Sequence, residues 1–202
     1  LLVGERIAEA FRRARLPKGL FANLVLSHEQ TERLIGFGKI DHINFTGSVA
    51  GGRAIERATA GTFASLGLEL GGKDPAYVRA DAKLDHAIEN LVDGAFYNSG
   101  QCCCGVERIY VDAAVFDDFV EGYADLTRKY VVGNPLDAST TLGPMARASF
   151  ADTVRGQIAE ARRKGATALI NMKGEGDRAG SPYLAPGGLT NVNHQMGGKR
   201  EE

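Results

Sequence analysis

Residues 40–72 read IDHINFTGSVAGGRAIERATAGTFASLGLELGG. Ile40, Ile43 and Phe45 belong to a short apolar run that Gly47-Ser48 ends, which is the pattern of a strand. Val49 to Ala60 reads as a helix with Arg53, Glu56 and Arg57 on its wet face. Ala64 to Leu70 is a further apolar run, stopped by Gly71-Gly72. Strand, short helix, strand is a βαβ unit, and a chain built from such units places its strands in a parallel sheet. The fold class is therefore α/β.

The flanking sequence continues in kind. Toward the N-terminus, Ile7, Ala10, Phe11 and Ala14 fall at helical spacing within Glu5 to Ala14, and Pro17 and Gly19 break the chain. Leu20 to Leu26 is predicted to be a buried strand, and Gln30 to Ile35 one or two helical turns. Toward the C-terminus, Ala76 to Val78 is a short strand. Asp81 is a predicted N-cap for a helix running to about Tyr97. Arg108 to Val111 is a strand. Phe116 to Tyr130 is a helix with Phe116, Phe119, Val120 and Tyr123 on one face. Phe150 to Lys164 is another helix, closed by Gly165. Ala166 to Ile170 and Tyr183 to Leu189 are predicted strands, separated by a Gly-rich charged loop, Lys173 to Ser181. No internal repeat or low-complexity tract interrupts this order.

Composition narrows the function classes. The chain has 202 residues, with 24 Lys+Arg against 25 Asp+Glu and a net charge of −1. Nothing basic enough for a nucleic-acid partner is present, and none is expected. No apolar run approaches the ~18–20 residues of a membrane span, so no membrane partner is expected either. The first residues, Leu-Leu-Val-Gly-Glu-Arg, lack the pattern of a signal peptide, and the chain does not begin with Met. Glycine is frequent, at 26 residues. The three cysteines are consecutive, Cys102, Cys103 and Cys104. A clustered, odd set cannot form a disulfide framework, so a reducing compartment such as the cytoplasm is expected.

Three features could carry chemistry. A free cysteine is most often a small buried hydrophobe, but these three follow Gly100-Gln101 at the end of a helix, where a thiol on a turn can meet a substrate. Metal binding is not expected. His28, His42, His86 and His194 are scattered, and no C-x-x-C is present. The second feature is Leu68-Glu69-Leu70-Gly71-Gly72-Lys73. Glu69 is either an outward-facing strand residue or a desolvated carboxylate with a raised pKa that suits a general base. Gly-Gly-Lys is not a phosphate loop, because Asp74 stands where Ser or Thr is required. The third is Phe45-Thr46-Gly47-Ser48, with Gly52 nearby: either a plain strand-to-helix turn or an anion site of backbone N–H groups.

In this order, Phe45–Ser48, Leu68–Pro75 and Phe96-Tyr97-Asn98-Ser99-Gly100-Gln101-Cys102-Cys103-Cys104 resemble the NAD(P)-dependent aldehyde dehydrogenase superfamily. Glu69 and Cys103 lie 34 positions apart, as in that family. The likeness continues through Leu16-Pro17-Lys18-Gly19, Arg108-Ile109-Tyr110-Val111, Gly133-Asn134-Pro135 and Gly143-Pro144-Met145. The resemblance implies a partial Rossmann-like cofactor domain, residues 1–70, joined to part of an α/β catalytic domain, residues 71–202, with mostly parallel sheets. It implies that Cys103, two after Gln101, is the nucleophile toward a small aldehyde, and that Glu69 activates water to release the acid. Gly47 and Ser48 would approach the pyrophosphate of NAD or NADP, with Gly52 beneath. Leu70 and Gly71 would border the nicotinamide, and Glu202 would bind its ribose.

Family members are more than twice this long, so the resemblance also implies an internal portion of such an enzyme. The upstream lysine and asparagine of the site and the downstream strand through which relatives form homo-oligomers would be missing, and little turnover is expected from this chain alone. A catalytically silent interaction remnant and a cofactor-free acyl transfer on Cys103 are the rival readings. Two departures have structural consequences. Arg15 stands where relatives have Gly before Leu-Pro, which costs about 1 kcal/mol if that position is left-handed. Gly187-Gly188 and Gly197-Gly198 stand where strand residues are usual, so the last twenty residues are expected to be weakly constrained.

Overall fold

The computed structural model describes residues 2–170 and 176–200. Packing divides the chain into two units, Leu1–Leu70 and Gly71–Glu202.

In the first unit, helix α1 (Leu2–Arg13) carries the ion pairs Arg6–Glu9 and Glu9–Arg13. Its end is a Schellman turn: the N–H of Leu16 donates to Phe11 O and that of Arg15 to Arg12 O. Arg15 sits at φ +56°, the left-handed position that the missing glycine would have filled. The expected strand Leu20–Leu26 does not form. The segment runs beside α1 instead, with the Phe21 ring 5.1 Å from that of Phe11 and Asn23 Nδ2 donating to Glu5 Oε1 at 3.0 Å. An apolar run becomes a strand only against a ladder partner, and these residues bond to helix side chains.

Helix α2 (His28–Gly36) opens on a capping box: Ser27 Oγ accepts from the Gln30 N–H at 3.2 Å, and Gln30 Oε1 accepts from the Ser27 N–H at 2.8 Å. Strand β1 (His42–Gly47), helix α3 (Val49–Thr59) and strand β2 (Ser65–Leu70) are the βαβ unit read from residues 40–72. The strands pair in parallel, His42 opposite Ser65 through Gly47 opposite Leu70. Period-two alternation sorts their faces. Ile43, Phe45, Leu66, Leu68 and Leu70 share one face; His42, Asn44, Thr46, Ser65 and Glu69 share the other. The Phe45 ring and Leu70 side chain reach α3, where Gly51 and Gly52 lack the Cβ atoms that would collide with them, as Gly47 does at the end of β1.

In the second unit, strand β3 (Asp74–Val78), helix α4 (Leu84–Phe96) and strand β4 (Val106–Val111) repeat the same logic, with β3 and β4 parallel. Helix α5 (Phe116–Thr127) packs on α4, where a Cβ on Gly122 would come within 2.5 Å of Ile88 Cδ1. Val78, Val92, Phe119 and Tyr123 form the core, with Leu84, Ile88, Leu91, Phe96, Ile109 and Val111 packed around it. Asp81 does not cap α4. Lys83 holds that position without a side-chain bond, and Asp81 pairs with Arg79 at 2.9 Å in the preceding turn.

Helix α6 (Ala148–Arg163) is followed by β5 (Thr167–Ala168), antiparallel to β6 (Leu189–Thr190). The predicted strand Ala166–Ile170 thus shrinks to two residues, and of Tyr183–Leu189 only Leu189 is in a strand. The reason is visible in Arg155. Its guanidinium donates to Asp177 Oδ1 at 2.8 Å, to Ser181 O at 3.1 Å and to Tyr183 O, so residues 177–183 bond to a helix side chain and not to a ladder. Part of the expected Lys173–Ser181 loop lies outside the described residues. The glycine-rich tail is anchored better than expected: Met196 is buried, Lys164 Nζ donates to Gln195 O at 2.6 Å, and the Gly197 N–H donates to Glu160 Oε2 at 3.1 Å.

Candidate active site

In the first unit, the expected cofactor residues Gly47, Ser48, Gly52 and Leu70 meet where β1 enters α3. Ser48 is the N-cap of α3. Its Oγ accepts from the Gly51 N–H at 3.1 Å and its carbonyl from that of Gly52 at 2.9 Å. The N–H groups of Val49 and Ala50 have no acceptor one turn earlier, and both residues are exposed. A Cβ on Gly47 or Gly51 would lie 2.7 Å from Phe45 Cζ, and one on Gly52 would lie 2.8 Å from Leu70 Cδ2. The glycines let helix and strand approach and leave the helix N-terminus open, an arrangement that suits a phosphate. Gly52 and Leu70 are parts of this packing and do not themselves offer polar groups to a ligand.

Glu69 stands near the end of β2 and is exposed. Of its two readings, the outward-facing one is observed. Leu68 and Leu70 point to the α3 side, while Glu69 shares the polar face with Thr46 opposite and with Ser65.

In the second unit, α4 ends at Phe96 and the chain turns through three left-handed residues, Asn98 (φ 52°), Ser99 (φ 60°) and Gly100 (φ 75°), before the cysteines. Only glycine adopts this region freely, so each non-glycine residue there costs roughly 1 kcal/mol or more. Side-chain bonds hold the turn. Asn98 Nδ2 donates to Gln101 O at 3.0 Å, and Gln101 Nε2 donates back to Asn98 O at 3.1 Å. Gln101 Oε1 accepts from the Ala146 N–H at 2.7 Å, and Ser99 Oγ donates to Gly143 O at 2.9 Å. The Gly143-Pro144-Met145 segment, remote in sequence, thus anchors the cysteine turn.

Cys103 and Cys104 are exposed and Cys102 is half-buried. A Cβ on Gly72 would lie 2.9 Å from Cys103 O, so the Gly71-Gly72 stretch passes directly against the turn. Lys73, behind it, is spent on structure: its ammonium pairs with Glu107, and its carbonyl accepts from Arg108 Nε at 2.9 Å. Cys102 and Cys104 touch through their sulfurs at 3.3 Å. The backbone N–H and thiol of Cys104 hold the Cys102 thiol below its ordinary range, and the contact with Cys102 pushes the Cys104 thiol up. A thiol on an exposed turn is placed where an electrophilic carbon can reach it.

Sequence reasoning missed Ser99, Gln101 and Phe45 as supports of the site. The Gly-Gln doublet marks Gln101, but its partner Ala146 lies 45 positions away. Glu202 lies outside the described residues. Among the described residues, no helix is long and apolar enough to cross a membrane.

A family model described as the aldehyde dehydrogenase family matches residues 1–202. Betaine aldehyde dehydrogenase from Rhizobium etli is 34% identical over 98% of this chain and 41% of its own length. Succinate semialdehyde dehydrogenase [NAD(P)+] from Escherichia coli is 32% identical over 97% of this chain and 42% of its own. The chain superimposes on the crystal structure of a betaine aldehyde dehydrogenase from Staphylococcus aureus in complex with NAD+ with a TM-score of 0.90. That likeness is at 26% identity, over 98% of this chain and 40% of that one. The chain spans about two fifths of the length of the curated relatives it matches.

Proposed function

The chain belongs to the aldehyde dehydrogenase family, and on that premise we propose that it carries the thiol and the carboxylate of an NAD(P)-dependent oxidation of an aldehyde to a carboxylic acid. The observation that carries the reading is the turn at Asn98–Gly100, a strained and heavily bonded segment that leads to an exposed Cys103. Strain held by surrounding bonds is characteristic of functional sites.

In this reading Cys103 Sγ, as the thiolate, attacks the aldehyde carbonyl carbon, and the carbonyl oxygen takes up a proton, giving a thiohemiacetal. What NAD or NADP supplies when bound is a hydride acceptor, through which the thiohemiacetal becomes a thioester. Glu69 then takes a proton from water, the hydroxide adds to the thioester carbonyl, and collapse releases the carboxylic acid and the Cys103 thiolate. The open N-terminus of α3 with Gly47 and Ser48 would hold the cofactor pyrophosphate, Gly52 letting the helix settle on the strand beneath it. Leu70 and Gly71 would border the nicotinamide, and Glu202 would bind its ribose. The relatives' names support an aldehyde as substrate and either nicotinamide cofactor. Residues 1–70 would thus serve the cofactor and residues 71–202 the thiol chemistry. Three unbridged cysteines fit a reducing compartment such as the cytoplasm.

An activated ester tests the two residues separately. With the 202-residue chain, p-nitrophenyl acetate is expected to give a burst of one acyl group per chain, absent in Cys103→Ser. Glu69→Gln is expected to keep the burst and slow the following release at least tenfold. A full burst in Cys103→Ser, or unchanged release in Glu69→Gln, overturns the corresponding assignment.

A further inference from the structure

The proposed thioester chemistry uses Cys103 and leaves its two neighbours without a role. Yet Cys102 and Cys104 are the pair in contact. Their sulfurs lie 3.3 Å apart. The turn that brings them together is closed by the Gly105 N–H donating to Cys102 O at 2.9 Å. A Cβ on Gly105 would meet the same oxygen at 3.2 Å, so the turn is tight. Cys104 is exposed and Cys102 is half-buried, so a small oxidant reaches both. A disulfide needs its sulfurs about 2.05 Å apart, which asks for a closing of about 1 Å.

We propose that Cys102 and Cys104 form a peroxide-sensitive dithiol that closes into a disulfide across Cys103. The co-reactant is a hydroperoxide, with hydrogen peroxide the simplest. The Cys102 sulfur attacks one peroxide oxygen and the O–O bond breaks. The departing hydroxide takes up the Cys102 proton as water, leaving a sulfenic acid. The Cys104 sulfur then attacks the Cys102 sulfur, the S–O bond breaks, and the hydroxyl leaves as a second water with the Cys104 proton. Two thiols lose two electrons and one peroxide gains them. The asymmetry of the pair suits the order of events: the backbone N–H and side chain of Cys104 hold the Cys102 thiol below its ordinary range while the Cys104 thiol is raised, which favours the thiolate on Cys102, the form that attacks peroxide.

The bridge encloses the Cys103 backbone in a small ring and leaves the Cys103 thiol unpaired. A loop this short gains little from chain entropy, and an exposed bridge of that kind is readily reduced again. The pair therefore acts as a reversible clamp on the turn, and its formation does not depend on whether Cys103 is the nucleophile.

Thiol counting tests this without any activity measurement. The reduced 202-residue chain is treated with about one equivalent of hydrogen peroxide and quenched in denaturant with iodoacetamide. The peptide containing residues 102–104 is then weighed. Wild type is expected to carry one carbamidomethyl group in place of three, and to regain three after dithiothreitol. Cys103→Ser is expected to carry none in place of two. Cys102→Ser and Cys104→Ser are expected not to lose both remaining labels. Cys103→Ser keeping both labels would overturn the proposal. So would either flanking variant losing both as fast as wild type loses two, because the bridge would then involve Cys103.

Discussion

Gly72 shows how one missing methyl group shapes the cysteine turn. A Cβ there would stand 2.9 Å from Cys103 O and 3.0 Å from Asp74 Oδ1. The carboxylate can swing away, but the carbonyl belongs to the backbone of a turn already held by Gln101 and Ser99, so the strain falls on the turn. Gly72→Ala is expected to destabilise the second unit by about 1–3 kcal/mol, the usual scale of overpacking. It is also expected to change the iodoacetamide labelling rate of Cys103 at least fivefold. Unchanged labelling together with an unchanged urea midpoint would show that the contact does not shape the turn. At this scale the cysteine triplet, Glu69 and Gly47-Ser48 were legible as candidates, because thiol, carboxylate and glycine each carry their chemistry in their names; Cys103 was singled out within the triplet by the resemblance. Their supports were not. Nothing local distinguishes Ser99 or Ala146 as partners of a turn, and the burial of Glu69 was a question of strand face that the leucines on either side could not answer.

Elements were legible where local chemistry decides them. The strand–helix–strand of residues 42–70 follows from period-two and helical patterns bounded by glycines. The α2 start was missed by two residues, Gln30 being expected where His28 is observed, although Ser27-His28-Glu29-Gln30 spells a capping box. Elements that depend on a remote partner were not legible. Leu20–Leu26 has strand composition but lies along α1, and Tyr183 is claimed by Arg155 from α6. The end of α1 was marked by Pro17 and Gly19, and the resemblance, with Gly in relatives at Arg15, raised a left-handed residue there, which the structure has at φ 56°. Arg15→Gly removes the steric cost of that conformation and adds some entropy to the unfolded chain. The net expectation is a gain of about 0.5–1 kcal/mol for the first unit. Amide exchange of α1 in urea reads it directly, and a midpoint that falls would show that Arg15 contributes contacts worth more than its strain.

The two units of the molecule are built with unequal cores. In Leu1–Leu70 the buried apolar side chains among the described residues are Ile35 and Ile55, while Leu20, Leu24, Val25, Phe37 and Phe63 are exposed. Its sheet is a single parallel pair, an arrangement that ordinarily requires cover on both faces. In Gly71–Glu202, Val78, Val92, Phe119 and Tyr123 pack as one cluster, and Leu142, Ala151, Ala161 and Met196 are buried as well. Burial of apolar area is the main favourable term in folding, so stability should follow this inequality. Hydrogen exchange at rising urea is expected to show the amides of β1, α3 and β2 opening at lower denaturant than those of α4 and α5. Val92→Ala separates the two. Val92 is 1% exposed, and its truncation is expected to cost about 2 kcal/mol. That loss should move the α4–α5 transition and leave the β1–α3–β2 transition in place. If both transitions move together, the units unfold as one cooperative body, and the exposed apolar surface of the first does not measure its stability.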